Sequence, residues 1–214
     1  MRKETFANGG FYHIYNRGVD KRNIFSDNYD LERFLQCMQE FNTIEPIGSI
    51  YEHSFLKNNL RGRTSKKGKL VNFIAYCLNQ NHYHFILQQV SDKGIEKFMQ
   101  RLGTGHSKYF NNKYRRTGVL FQGKFKARHI NSNEYLLHLS AYVNLNNCVH
   151  RLGSRASKSS WQEYINEKNG LCERKVITDQ FKNIIDYKKF AESSLKDILA
   201  RKQLYKELGS VLFD

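Results

Sequence analysis

The sequence has no apolar run approaching the roughly 20 residues that cross a membrane. Its start, Met1-Arg2-Lys3-Glu4-Thr5, lacks the apolar stretch of a signal peptide, so a cytoplasmic protein with no membrane partner is expected. Cysteine is scarce and scattered. Cys37, Cys77, Cys148 and Cys172 include no close pair, which argues against a disulfide framework and a four-cysteine zinc site. They read as small buried hydrophobes. There is one proline, Pro46, and no internal repeat. Acidic residues are also few: 20 Asp and Glu stand against 35 Lys and Arg, a formal net charge of +15. An imbalance of that size implies a polyanionic partner, most commonly nucleic acid.

What the chain does have is length, aromatics and base. Its 214 residues suffice for one main domain with an extension. Aromatic residues make up 14% of the chain and interleave with cations, as in Lys108-Tyr109-Phe110-Asn111-Asn112-Lys113-Tyr114-Arg115-Arg116. Flat rings beside cations suit unstacked bases and backbone phosphates.

Periodicity sets the order of elements. Phe11 to Tyr15 is rich in β-formers and reads as a strand ended by Asn16-Arg17-Gly18. Asp27 or Asn28 caps a helix carrying Leu31, Phe34, Leu35, Met38 and Phe41, with Pro46 beyond its end. Lys57 to Lys69 is a Gly- and Lys/Arg-rich loop, suited equally to touching nucleic acid or to plain solvation. Val71 to Leu78 and His82 to Val90 form a hairpin across Asn79-Gln80-Asn81. Asp92 opens a second helix, bent or ended at Gly103-Thr104-Gly105. A fourth strand covers Val119 to Ile130 with a break at Gly123, and Ser132 or Asn133 caps a third helix to about Asn147. The order β-α-β-β-α-β-α predicts an α+β fold: a ferredoxin-like, split β-α-β antiparallel sheet with an added helix. Beyond Arg151 the composition shifts. Gly153 to Ser160 reads as a linker, and the stretches Val176 to Tyr187 and Phe190 to Leu208 have helical spacing. The expected division is therefore 1–150 as the catalytic domain and 151–214 as a basic, mostly helical extension.

Two short segments carry chemistry. In Asn81-His82-Tyr83-His84-Phe85-Ile86-Leu87, a strand places His82 and His84 on one side, where they can share a metal ion or act as hydrogen-bonded strand histidines. In Ala141-Tyr142-Val143-Asn144-Leu145-Asn146, a helix places Tyr142 and Asn146 on one face. Tyr135 and His138 extend that polar stripe, which a solvated helix face would also explain. Zinc prefers a third His, Cys or carboxylate, whereas an amide oxygen suits Mg²⁺ or Mn²⁺ with open positions for water and phosphate. Asn146 also has a simple reading as a helix cap. Two imidazoles, an amide oxygen and a phenol are the minimum set for metal-assisted attack by tyrosine on a phosphodiester.

Four segments in order, Phe11 to Gly18, Asn81 to Leu87, Leu120 to Ala127, and Tyr135 to Asn146, together resemble the single-tyrosine HUH transposases. The resemblance spans about residues 10 to 150 and is strongest to the REP-associated tyrosine transposases. Two departures stand out: Asn147 replaces the proline usual after the tyrosine motif, and Lys124 stands where arginine is common. The resemblance implies Tyr142 as nucleophile and His82, His84 and Asn146 as metal ligands. It further implies a 5′-phosphotyrosine intermediate and a substrate of single-stranded DNA bearing a hairpin. The extension fits the monomeric branch better than the dimers that exchange the tyrosine helix. The expected DNA contacts are Arg17, Lys21, Arg22, Lys108, Lys113, Arg115, Arg116, Lys124, Lys126 and Arg128. Two rivals keep parts of the pattern: a repeat or hairpin DNA-binding protein that does not cut, and a rolling-circle replication initiator. An RNA-binding ferredoxin-like module would stack bases on sheet aromatics but leaves the converging ligands without a role.

Overall fold

The computed structural model describes residues 4–50, 68–149, 157–166 and 169–207, with side chains described as far as residue 200 except that of Val149. Strand β1 (Phe11–Arg17) buries Tyr12 and Ile14 on one side and presents His13, Tyr15 and Arg17 on the other, as period-two alternation requires. Helix α1 (Asn28–Glu40) starts where the Asp27 carboxylate accepts from the Asp30 N–H. Strands β2 (Val71–Asn79) and β3 (His82–Gln89) form the expected hairpin, and helix α2 (Gly94–Lys113) follows. Then come β4 (Lys126–His129) and α3 (Asn133–Asn144), the latter capped by the Ser132 hydroxyl.

The sheet order is β4-β1-β3-β2, extended at the β2 edge by β5 (Ser157–Ser159), and every neighbouring pair is antiparallel. The first four strands and the helices α1 and α2 make the split β-α-β arrangement expected from the sequence. One face of the sheet packs Tyr12, Ile14, Phe73, Phe85 and Leu87 against Phe34, Met38, Phe98 and Leu102 of α1 and α2. The other face packs Ala75, Cys77 and Ile86 against Leu136, Leu139 and Val143 of α3 and against Tyr187 and Ala191 of a long final helix.

Several boundaries differ from the sequence expectation. Helix α2 runs unbroken through Gly103-Thr104-Gly105. The fourth strand shrinks to four residues, and Phe121 joins the sheet by a single bridge to Gly18. Helix α3 stops at Asn144, and a turn at Leu145 separates it from the one-turn helix α4 (Asn146–Val149). The stretch read as a linker supplies β5, which pairs with Cys77 to Asn79 of β2. Three helices follow: α5 (Trp161–Ile165), α6 (Lys175–Thr178) and α7 (Ile184–Glu207). Residues 57–67 of the basic loop, and residues 153–156 of the expected linker, lie outside the described residues. Among the described residues, no helix is long and apolar enough to cross a membrane.

Candidate active site

The site forms on the sheet face that carries α3, and a β-bulge helps make it. Along β2, Phe73 pairs with Leu87 and Ala75 with Ile86, so Ile74 is the extra residue. The bulge reverses the alternation of everything after it. Cys77 and Asn79 thereby share a face with their partners His84 and His82, while Tyr76 and Leu78 turn to the core beneath α1 and α2. His82 and His84 project from the same side of β3, their rings 5.2 Å apart and nearly perpendicular.

Asn79, His82 and Asn146 meet at one point. The Asn79 amide nitrogen donates to Asn146 Oδ1 at 2.7 Å and lies 2.9 Å from His82 Nε2. The other His82 nitrogen, Nδ1, is 2.6 Å from Asn81 Oδ1. An amide oxygen only accepts, so the assigned geometry places the imidazole proton on Nδ1 and the lone pair on Nε2. That lone pair faces Asn146 Oδ1 at 3.3 Å. The Asn79 amide bridges these two acceptors, and both are donor types that a divalent cation takes. The Asn146 side chain is fully buried and accepts from Asn79 through its oxygen. The residues therefore fit a small divalent cation with oxygen and imidazole donors. Among the described residues, no three His, Cys, Asp or Glu side chains cluster as a metal site.

Tyr142 reaches this point from α3, its ring 5.6 Å from that of His84 in an edge-on arrangement. Burial is the larger influence on its phenol and raises the pKa, while the Asn146 amide acts in the opposite sense. The phenol is thus protonated at neutral pH. His84 Nδ1 lies 3.0 Å from Nε2 of His13 on β1. Tyr15 stacks beside both rings, at 5.8 Å from His84 and 4.9 Å from His13. Burial, with a smaller contribution from Arg128, lowers the His13 pKa to about 4. Neither His13 nor Asn79 stands out in the sequence. The available signal is the alternation of β1, which puts His13, Tyr15 and Arg17 on one side. Asn79 had no such signal, because the bulge decides which way it points.

A cavity of about 470 Å³ opens over these groups, lined by Tyr15, Asn16, Arg17, Lys21, Asn81, His82, His84, Gln122, Lys126 and Tyr142. Of the basic residues expected to meet DNA, Arg17, Lys21 and Lys126 line it, and Arg17 donates to Gln122. Arg128 pairs in register with His13 on the adjoining strand, and Lys124 is exposed just before β4. Arg22 lies 3.7 Å from Asp20. The remaining four, Lys108, Lys113, Arg115 and Arg116, sit on or just after α2, which packs on the opposite face of the sheet. Lys113 makes ion pairs of 2.7 Å with both Asp27 and Asp30, so its charge is matched within the fold.

Residues 49–146 match the family of IS200-like transposases. The chain is thus similar to that family across a region holding His82, His84, Tyr142 and Asn146, and the similarity supports a transposase-type, DNA-binding function. No curated protein matches the chain. A solved structure of a REP-associated tyrosine transposase bound to a REP hairpin is similar to it at 13% identity, covering 78% of this chain and 85% of that one, with a TM-score of 0.49.

Proposed function

We propose that this chain, similar in its central region to IS200-like transposases, is a metal-dependent endonuclease and strand transferase for hairpin-bearing single-stranded DNA. The observation that carries this reading is the convergence of His82, His84, Asn146 and Tyr142 in one basic cavity of one chain. His82, His84 and Asn146 would hold Mg²⁺ or Mn²⁺, which supplies positive charge to a non-bridging oxygen of the scissile phosphate. Arg17, Lys21 and Lys126 bind neighbouring phosphates and set the register of the strand. The Tyr142 oxygen attacks the phosphorus, and the bond to the 3′ oxygen breaks. The phenol proton passes to solvent, because no carboxylate lines the cavity among the described residues. The departing 3′ oxygen takes up a proton. One phosphoester replaces another, so a 3′-hydroxyl can later attack the phosphotyrosine and rejoin DNA without external energy. The preference for a hairpin rests on the resemblance of the four sequence segments. The preference for a monomer rests on the extension, which fits the monomeric branch of the family that the sequence resembles.

The test is incubation with a hairpin-bearing single-stranded oligonucleotide and Mn²⁺, followed by denaturing electrophoresis for a covalent adduct. Wild type should form the adduct and lose it on chelation. Tyr142→Phe should form none while still binding DNA. Tight binding by wild type with no adduct would instead favour a non-cleaving hairpin binder. An adduct with the Phe variant would move the nucleophile elsewhere, to Tyr135 first.

A further inference from the structure

We propose that His13 is a positioning residue: its Nε2 accepts the Nδ1–H of His84 and holds His84 in the tautomer that presents Nε2 to the metal. This inference rests on the reading of His84 as a ligand. In the β1–β3 register Tyr15 pairs with His84 and His13 with Ile86, so His13 sits diagonally opposite His84 on the same face. The two nitrogens are 3.0 Å apart, and the rings lie 5.2 Å apart at an angle of 20°. One proton occupies such a nitrogen–nitrogen contact between neutral imidazoles. If His13 donated it, the His84 proton would sit on Nε2 and block ligation there. If His84 donates it, Nε2 carries a lone pair.

Ligating histidines regularly give their second N–H to a fixed acceptor, which sets the ring orientation and raises the basicity of the ligating nitrogen. His82 has such an acceptor in Asn81 Oδ1. His13 is the matching acceptor for His84. Its side chain is only 8% exposed, so bulk water competes poorly for the contact. Tyr15, packed beside both rings, restricts their rotation. The pair of ligands is thus oriented by an amide oxygen on one side and an imidazole on the other.

Long-range ¹H–¹⁵N correlation spectra of the metal-free protein test the tautomer directly, and Mn²⁺ titration by electron paramagnetic resonance tests its consequence. Wild-type His84 should be protonated on Nδ1 and bare on Nε2. His13→Leu should shift His84 toward the Nε2–H tautomer and weaken Mn²⁺ binding on the order of 10- to 100-fold. His13→Gln, whose amide oxygen reaches the same position, should restore affinity to within a few-fold. A wild-type His84 protonated on Nε2 overturns the inference. So does a folded His13→Leu variant with unchanged tautomer and unchanged affinity. If that variant does not fold, the wild-type spectrum and the Gln variant decide. His84→Ala separates the two readings. If wild type binds no Mn²⁺, or His84→Ala binds it as well as wild type does, the metal assignment fails, while the tautomer spectrum still decides the hydrogen bond.

Discussion

At the scale of single residues, the proposed reaction sets opposite demands on one group. Tyr142 packs as a neutral phenol and, as the proposed nucleophile, has to lose its proton to react. Burial keeps its pKa above the ordinary phenol value of about 10, so the phenolate fraction rises about tenfold per pH unit through neutrality. Single-turnover cleavage at saturating Mn²⁺ should therefore increase between pH 7 and 9 with a log-rate slope near +1. A flat profile would mean that proton loss is not part of the limiting step. Asn146→Ala removes one oxygen donor without removing the phenol. The variant should need roughly tenfold more Mn²⁺ for half-maximal cleavage, by analogy with the loss of supporting metal contacts. Normal cleavage at limiting metal would leave two protein ligands and make Asn146 structural. Asp30 makes the contrasting case of a buried charge with a structural task. Its carboxylate is fully buried and accepts from Ser26 N–H, Tyr109, Tyr114 and Lys113 at 2.7 to 2.8 Å. Burial alone would raise its pKa, but these donors outweigh it and lower the value. The sign follows: this contribution to stability is present above the ordinary carboxylate range and is lost as pH falls through the depressed folded value. Asp30→Asn should cost about 3 kcal/mol and flatten the acid limb of the unfolding curve, because it leaves Lys113 and two phenols facing an amide.

At the scale of elements, α3 is held in place by the chain beyond it. Asn144, two residues after the proposed nucleophile, donates to the Tyr187 hydroxyl at 2.8 Å and accepts from the Ser160 hydroxyl. Ser160 in turn accepts from the Tyr76 N–H of β2. Sheet, tyrosine helix and α7 thus share one buried polar chain. Tyr187→Phe leaves the Asn144 amide nitrogen buried without its acceptor, a loss of about 1–3 kcal/mol. At roughly 2–4 °C per kcal/mol for a chain of this size, the fall should be plain in a thermal melt. Cleavage should slow more than DNA binding weakens, since small displacements of a nucleophile are costly. Equal losses in both would show that the network serves stability alone. How much of this was legible in the sequence follows from what sets each element. Strands β1, β2 and β3 and helices α1 and α3 follow from apolar period and caps, and so does the side that His82 and His84 share. The bulge at Ile74 has no local signature in an unbroken apolar run, so the position of Asn79 was not readable. Gly103-Thr104-Gly105 suggested a break, yet a Cβ on Gly105 would lie 2.6 Å from the Phe41 ring, so this glycine permits close helix packing instead. Strand β5 lies in a serine-rich stretch and draws its register from pairing with β2, a tertiary effect invisible to composition.

At the scale of the whole molecule, a net charge of +15 invites the view that any surface will hold DNA, but the basic residues of the described region have different surroundings. Arg17, Lys21 and Lys126 surround the proposed chemistry. A second cavity of about 890 Å³, lined by Arg33, Arg101, Lys108 and Tyr109 beside α1 and α2, includes Lys108 of the expected DNA contacts but none of His82, His84, Tyr142 and Asn146. Lys113 is already matched by Asp27 and Asp30, 2.7 Å from each. These differences make the charge testable residue by residue. If about six phosphates are neutralised, log affinity for single-stranded DNA should fall against log salt with a slope of roughly −4. Each contacting cation removed should reduce that slope by about 0.7. Lys21→Ala with Lys126→Ala should therefore bring it to about −3, whereas Lys113→Ala should leave it unchanged while lowering stability. Arg115→Ala and Arg116→Ala, tested the same way, report whether the strand reaches the far end of α2. Equal effects from Lys113 and Lys126 would mean that DNA responds to overall charge, and the cavity over Tyr142 would lose its claim to position the strand. A selective effect of Lys21 and Lys126 would place backbone phosphates beside His82 and His84, where a phosphodiester must lie for the Tyr142 oxygen to reach it.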